Sequence, residues 1–355
     1  MDKTLALALD AIDAEAGQNP PSAGLRWIGM ARGLMRGYHE YWKDQPLTAE
    51  AVEEEFVVEV RNLDEPDAPE HPVFNMAGKK DVIVKDELGR RWIMDHKSTS
   101  FKDVDSDSPC IAQLDIEGQA SLYALSEHYM GRNVSGAIWD MVSKDGIKMV
   151  RLPKKAIAEI ADEGTYHGFE VSKYTQQYAL TKDARENVEL YEYRVARRAI
   201  DDPRSYFYRE TTTRPDEELV VCAKELWLTA NEVQRAREQD RAVRNYTACM
   251  NYNRPCPYLG LCRGYDQPDS QNWTKRPGVH TELDTLDGDG RDTLSASRVK
   301  SFLTCQRKHH YRYELGIERV KEDLQDAIYF GNLIHAGLEV WWLTFIPQDE
   351  RTEDE

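Results

Sequence analysis

The stretch Met76–Ser100, MAGKKDVIVKDELGRRWIMDHKSTS, decides the reading of this chain. An apolar run, Val82–Val84, precedes a turn around Asp86–Gly89, and a returning run, Trp92–Met94, completes the pattern of a β-hairpin. The returning strand ends in Asp95, His96 and Lys97. A strand alternates its faces, so Asp95 and Lys97 share one face and His96 takes the other. Asp81, at the start of the first strand, comes abreast of Asp95 across the pair. Two carboxylates converging with an amine are costly unless a divalent cation lies between the acids. That constellation is the one needed for metal-assisted phosphodiester hydrolysis. A bare D-x-K is also the mark of a surface hairpin with solvated charges, so the surrounding spacing must carry the distinction.

Working outward, Gly78-x-x-Asp81, Asp95-x-Lys97 and then Gln119-x-x-x-Tyr123 on the next helical pattern resemble the PD-(D/E)XK nuclease superfamily. The branch they resemble is that of the RecB-type exonucleases of phages, AddB-like subunits and CRISPR adaptation nucleases. The resemblance implies a mixed α/β (α+β) fold with a restriction-endonuclease-like core and helical additions. It implies Mg2+ or Mn2+ held by Asp81, Asp95 and the backbone carbonyl of His96, with Lys97 orienting or activating the attacking water. Gln119 and Tyr123, one helical turn apart, would buttress the site and meet DNA, as single strands or duplex ends.

At 355 residues the chain can form one large domain or two modest ones. Its 41% hydrophobic and 10% aromatic content fits a globular protein. No apolar run reaches membrane-spanning length and the N-terminus lacks a basic-then-apolar signal pattern, so a cytoplasmic protein with no membrane partner is expected. The net charge of −17 excludes a uniformly basic nucleic-acid-binding surface but leaves room for a local cationic groove.

In chain order, helices are expected over Leu5–Ile12 and Gly24–Trp42, around a break at Pro20–Pro21. The second carries Arg26, Arg32 and Arg36 beside Trp27, Tyr38, Tyr41 and Trp42, and reads as a packed aromatic face with solvated arginines. Glu54–Val60 reads as a strand, and Glu53 stands where related phage nucleases often show a glutamate, or else as an exposed charge at a strand end. A polar loop, Lys102–Ser108, leads to a helix over 112–129 and a strand over 134–142. This order makes most of the superfamily's core and lacks its first helix. Residues 150–245 read as mostly helical, with a connecting segment near Asp202–Arg214 and a charged helix, Pro215–Val243, projecting into solvent.

Of six cysteines, Cys110 and Cys222 are isolated and have no assigned role. Cys249, Cys256 and Cys262 cluster in YTACMNYNRPCPYLGLC, and Cys305 lies in LTCQRKHHYRYELGI. A cytoplasmic setting argues against a disulfide framework, and the lack of C-x-x-C argues against structural zinc. The long, irregular spacings suit a [4Fe–4S] cluster, with zinc or ordinary thiols as the alternatives. CPYLGLC and CQRKHHYRY are similar to the cysteine segments of iron–sulfur nucleases of this family, in which the cluster would be structural.

In that family the CQRKHHYRY segment opens the domain and a Gly-x-x-x-His motif follows it. Here the pair lies late in the chain, as Cys305 and then Gly331-x-x-x-His335. The resemblance therefore implies that His335 is a metal ligand from the missing first helix. It also implies a circular permutation, in which residues 294–355 precede residues 1–265, the nuclease core and the helical region 150–265. Residues 266–293 would be the linker, with the polar Gln267–Asp292 as its body. The competing account is a truncated second copy starting at 294. The same late segment holds Arg298, Lys300, Arg307, Lys308, Arg312, Arg319 and Lys321 among His309, His310, Tyr311 and Tyr313. It reads either as a phosphate-contacting, base-stacking stripe or as an ordinary cationic helix face.

The expectation is a metal-dependent deoxyribonuclease, an exonuclease in its mode of action. The alternatives are a non-cleaving DNA-end-binding module of the same fold and a CRISPR adaptation-type nuclease trimming short DNA. No G-x-x-x-x-G-K-[ST] loop occurs, so any helicase activity would belong to a helicase or recombination partner. A ring-like homo-oligomer would be one route to processivity.

Overall fold

The computed structural model describes residues 2–17, 24–65, 70–99, 109–144, 146–251, 254–278, 290–320 and 326–347. The Pro20–Pro21 break, the polar loop 102–108, Lys321 and the linker residues 279–289 lie outside the described residues. Around the hairpin grows a six-stranded mixed sheet. Its strands are β1 (Thr48–Glu59), β2 (Phe74–Lys85), β3 (Arg91–Thr99), β4 (Gly136–Ser143), β5 (Phe207–Thr213) and β6 (Asp292–Leu294). They run in the order β1-β2-β3-β4-β5, with β6 alongside β2. The β3–β4 and β2–β6 pairs are parallel and the others antiparallel. Hairpin register pairs Val82 with Met94 and Val84 with Trp92, so Asp81 faces Asp95 at the next step.

The alternation of β2 and β3 feeds two helical layers. Val82, Val84, Trp92 and Met94 pack with α1 (Lys3–Ala16), α2 (Gly24–Trp42), α5 (Val188–Asp201) and α8 (Asp326–Leu343). Ile93, Met76 and Phe56 pack on the opposite face with α4 (Gly118–Tyr129), α6 (Asp216–Glu238) and α7 (Ala296–Thr304). Close helix packing on the first face rests on glycines at every fourth position of α2. A Cβ on Gly33 would lie 2.6 Å from the Glu192 carbonyl oxygen, and one on Gly37 would lie 2.5 Å from the Ala199 Cβ. Helix α8 runs antiparallel to α1: the Tyr329 hydroxyl donates to the Ala16 carbonyl at 3.4 Å, and Gly337 abuts Ile12.

Several expectations need correction. Strand β1 begins at Thr48, and the helix expected over 112–129 is two, α3 (Pro109–Asp115) and α4. The segment near Asp202–Arg214 is not a plain connection, because Phe207–Thr213 forms the sheet's edge strand, buried at Phe207 and Thr212. Helix α6 does not project into solvent. Leu219, Ala223, Leu226, Ala230 and Val233 give it a buried stripe at helical spacing along most of its length. The arginines Arg32 and Arg36 of α2 are not solvated, since both pair with Glu192 of α5 at 2.6 Å.

Arg298, expected at a DNA-binding stripe, is 1% exposed. Its guanidinium donates to Asp292 at 2.8 and 3.0 Å, to Glu314 at 3.1 Å and to the Thr293 carbonyl at 2.7 Å. Burial alone would raise the Asp292 carboxyl, but Arg298 and Arg237 hold it well below the usual carboxylate range. With its donors engaged in these bonds, the buried Arg298 ties β6 and α7 to the fold instead of standing on an exposed cationic stripe. Arg298→Ala is expected to cost about 3 kcal/mol of stability by emptying a buried site and leaving Asp292 and Glu314 with Arg237 as their remaining cation. Urea denaturation measures this, and a stable variant with weakened DNA affinity would return Arg298 to the binding surface.

Candidate active site

The hairpin, α4 and α8 enclose a cavity of about 700 Å3 lined by Asp81, Lys97, Gln119, Tyr123 and His335 among others. Asp95 lies at its base, 5% exposed. Gln119 donates from Nε2 to Asp95 Oδ1 at 2.9 Å and to the Tyr123 hydroxyl at 3.2 Å, and accepts from Lys97 Nζ at 3.3 Å. Lys97 Nζ also lies 2.5 Å from Asp95 Oδ2. The backbone N–H of His96 donates to Asp81 Oδ2 at 2.7 Å, and His335 Nδ1 lies 3.8 Å from the same oxygen. His335 also donates to the His96 main-chain carbonyl. Gly78 is small for a reason: a Cβ there would lie 2.9 Å from both the Phe56 and Tyr123 rings, which meet edge-on above it.

The charges are not neutral bystanders. Burial, and then the neighbouring Asp95, push the Asp81 carboxyl well above the usual carboxylate range. Burial works against the Lys97 ammonium, but the adjacent Asp95 outweighs it and the net shift is upward. Burial lowers His335 toward the neutral imidazole, the form able to ligate a cation.

Glu339, which the sequence reading did not single out, and Glu53, which it did, also line this cavity. Glu339 follows His335 by one helical turn, a spacing that was open to reading, and burial raises its carboxyl. Glu53 has φ 54, a left-handed backbone that a glutamate seldom adopts, and pairs with Lys79 at 2.7 Å. Of the expected basic stripe, Lys300 reaches the cavity, where it pairs with Glu117 at 3.1 Å. Arg307 donates to the Ala242 carbonyl at 2.9 Å, and Arg312 is half-buried against Tyr313 and Tyr258. Lys308 lies beside Cys256.

Of the four expected cysteines, Cys256 and Cys262 pack on a small core of Tyr258, Trp273 and Tyr311, with Cys305 and Cys249 near Cys256. The Cys256 N–H donates to the Cys249 carbonyl at 2.8 Å, and the Asn245 N–H reaches Cys305 Sγ at 3.5 Å. Burial raises the Cys256 thiol, with Cys305 and Cys249 adding to the shift; Cys262 is raised by burial and by Cys256 and Cys305. Cys222 is a half-buried thiol on α6, pushed up to about 12 by desolvation.

Among the described residues, no three His, Cys, Asp or Glu side chains converge tightly enough to hold a metal ion. At the acids the Lys97 ammonium occupies Asp95, and His335 stands back from Asp81. The donor set still fits a hard divalent cation: two carboxylates that repel each other, a main-chain carbonyl and an imidazole. The thiols, drawn from two segments, fit a soft metal centre in donor type.

A central mixed sheet covered by helices, with an acid–acid–lysine set on its hairpin, defines the restriction-endonuclease-like α/β class. Residues 293–355 match the PD-(D/E)XK nuclease superfamily, whose members are generally metal-dependent nucleases. No curated protein matches the chain. The matched segment holds Cys305 and His335, whereas Asp81, Asp95 and Lys97 lie outside it and are joined to it by the fold. Among the described residues, no helix is long and apolar enough to cross a membrane.

The raised Asp81 carboxyl gives a signed expectation. Its folded affinity for a proton exceeds the unfolded one, so the penalty is absent below about pH 4, the ordinary carboxylate value. It grows as pH rises toward the folded value. In EDTA, wild-type stability should therefore fall relative to Asp81→Asn between pH 4.5 and 7.5, and Mn2+ should reverse the loss in wild type alone. Urea denaturation across that range measures it, and a pH-independent difference would contradict the burial argument.

Proposed function

We propose that this protein is a Mg2+- or Mn2+-dependent deoxyribonuclease, acting as an exonuclease of the RecB type, with a structural [4Fe–4S] cluster. The observation that carries the reading is the meeting of His335, from the superfamily-matched segment, with Asp81 of the hairpin at 3.8 Å. Asp81, Asp95, His335 and the His96 carbonyl would hold the cation. A bound divalent cation supplies a hydroxide-like nucleophile at neutral pH and offsets charge developing on the phosphate. Lys97, between Asp95 and Gln119, orients the water and leaves Asp95 free to ligate once a cation takes over its charge. Gln119 holds the Asp95 carboxylate in one rotamer, and Tyr123 braces Gln119. Cys249, Cys256, Cys262 and Cys305 would hold the cluster, tying the segment after 294 to the core.

Circular permutation is part of this reading. It is supported by Cys305 and His335 finding their partners within this chain, which a truncated second copy would leave unexplained. Residues 1–265 and 294–355 are thus two parts of one nuclease domain joined by 266–293.

Anaerobically purified protein assayed on labelled single- and double-stranded DNA, with and without Mn2+, tests the proposal. Cleavage should require the cation and fall about 100-fold or more in Asp95→Ala and Lys97→Ala, with circular dichroism unchanged. Full activity in either variant would end the assignment. Cys256→Ser should lose iron, brown colour and thermal stability together, and wild-type protein of the same stability without iron would remove the cluster.

A further inference from the structure

Behind the strand that carries Asp95 and Lys97 lies a sealed polar chain that the reading above does not use. His96, 3% exposed, points to the opposite face of β3, and its Nδ1 lies 2.9 Å from Oδ2 of Asp140, its register partner on β4. The same oxygen accepts from the Tyr38 hydroxyl at 2.6 Å, and Oδ1 accepts from Arg209 Nε at 2.8 Å. Arg209, the register partner of Asp140 on β5, also donates to the Tyr38 oxygen at 2.8 Å and lies 3.8 Å over the Trp42 ring.

Stability alone explains this chain poorly, because well-packed apolar residues commonly replace a buried ion pair without loss. Its connection to the other face of β3 is more telling. The His96 ring is clamped from behind, while the main chain of the same residue donates to Asp81 and accepts from His335. Those two groups belong to the peptide units on either side of the His96 Cα, so a shift of the main chain at His96 would move both contacts. The ring that resists such rotation is fixed by one carboxylate, and that carboxylate is fixed by two strands and a helix.

We propose that Asp140 is a positioning residue for the divalent-cation site: through the His96 ring it locks the β3 main chain at His96, whose N–H meets Asp81 and whose carbonyl meets His335. The proposal rests on the cation-site reading given under Proposed function. Replacing the carboxylate by an amide turns an N–H against either Arg209 or the Tyr38–His96 pair, with little change of shape.

The test is calorimetric titration of the full chain with Mn2+ in the absence of DNA, in wild type, Asp140→Asn and His96→Phe, each checked for folding by its thermal melt. Mn2+ affinity should weaken about tenfold or more in Asp140→Asn, the scale for groups that orient a ligand. Half-saturating Mn2+ in cleavage should rise with it while the KM for DNA stays constant, a split that a merely structural role would not produce. His96→Phe cuts the link while leaving Asp140, Tyr38 and Arg209 in place, so it should reproduce the loss even if Asp140→Asn folds poorly. Wild-type affinity in a folded variant, beside a wild type that binds Mn2+ and cleaves, would overturn the proposal alone. Wild-type protein that neither binds Mn2+ nor cleaves would overturn the proposed function, and this inference with it.

Discussion

The structure is organised around the mutual repulsion of two acids on adjacent strands, Asp95 buried and Asp81 half-buried. Register-opposed side chains on antiparallel strands stand about 5 Å apart, where unit charges in a protein interior repel by several kcal/mol. Asp81 and Asp95 occupy such positions beneath the helices. Their bonded and ion-pair partners supply positive charge or a donor, the His96 N–H and the His335 ring to Asp81, Lys97 and Gln119 to Asp95, while Glu53 adds to the negative charge near Asp81. Even so, burial and Asp95 leave the Asp81 carboxyl raised. A fold that keeps such a pair in its cavity retains an unmet demand for positive charge, and a divalent cation meets that demand more fully than one ammonium.

Helix α8 connects this demand to the core. Its Tyr329, Leu333, Ile334, Leu338 and Trp341 are buried against α1, α2 and the sheet, while His335 and Glu339 look into the cavity. The apolar side of the helix therefore sets the height of the imidazole over Asp81. With Gly337 against Ile12, the helix sits too close to α1 for a larger side chain at that point, so the site's geometry inherits the rigidity of the packing.

Much of this was open to reading because it depends on local pattern. The hairpin follows from period-two alternation about a turn, and the register that opposes Asp81 and Asp95 follows from the hairpin. The four-residue spacing of Gln119 and Tyr123 puts both on one side of α4. What escaped reading depends on distant partners. Strand β5, FYRETTT, lies at the sheet's edge with Phe207 and Thr212 its buried residues, one on each face, and a run this polar looks like a loop. Arg298 looked like one more cation in a basic run, since neither Asp292 nor Glu314 neighbours it closely in sequence. Asp140 sits in an apolar strand as an apparent exception, and only strand order brings Arg209 and Tyr38 to it.

The fate of the cations bears on how a nucleic acid can be held. In a chain of net charge −17, many basic side chains are already committed to internal pairs: Arg298 and Arg237 to Asp292 and Glu314, Lys80 and Arg132 to Glu54 and Glu127, Arg32 and Arg36 to Glu192. Lys79 and Lys300 at the cavity are themselves paired with glutamates. Under the proposed function, direct phosphate contacts, each releasing counterions, are then few among the described residues at the cavity. The acidic pocket would repel a phosphodiester until positive charge enters it. On the proposed reading, cation uptake is thus a condition for substrate approach as well as for chemistry, and groups that shape the cation's cradle would govern both.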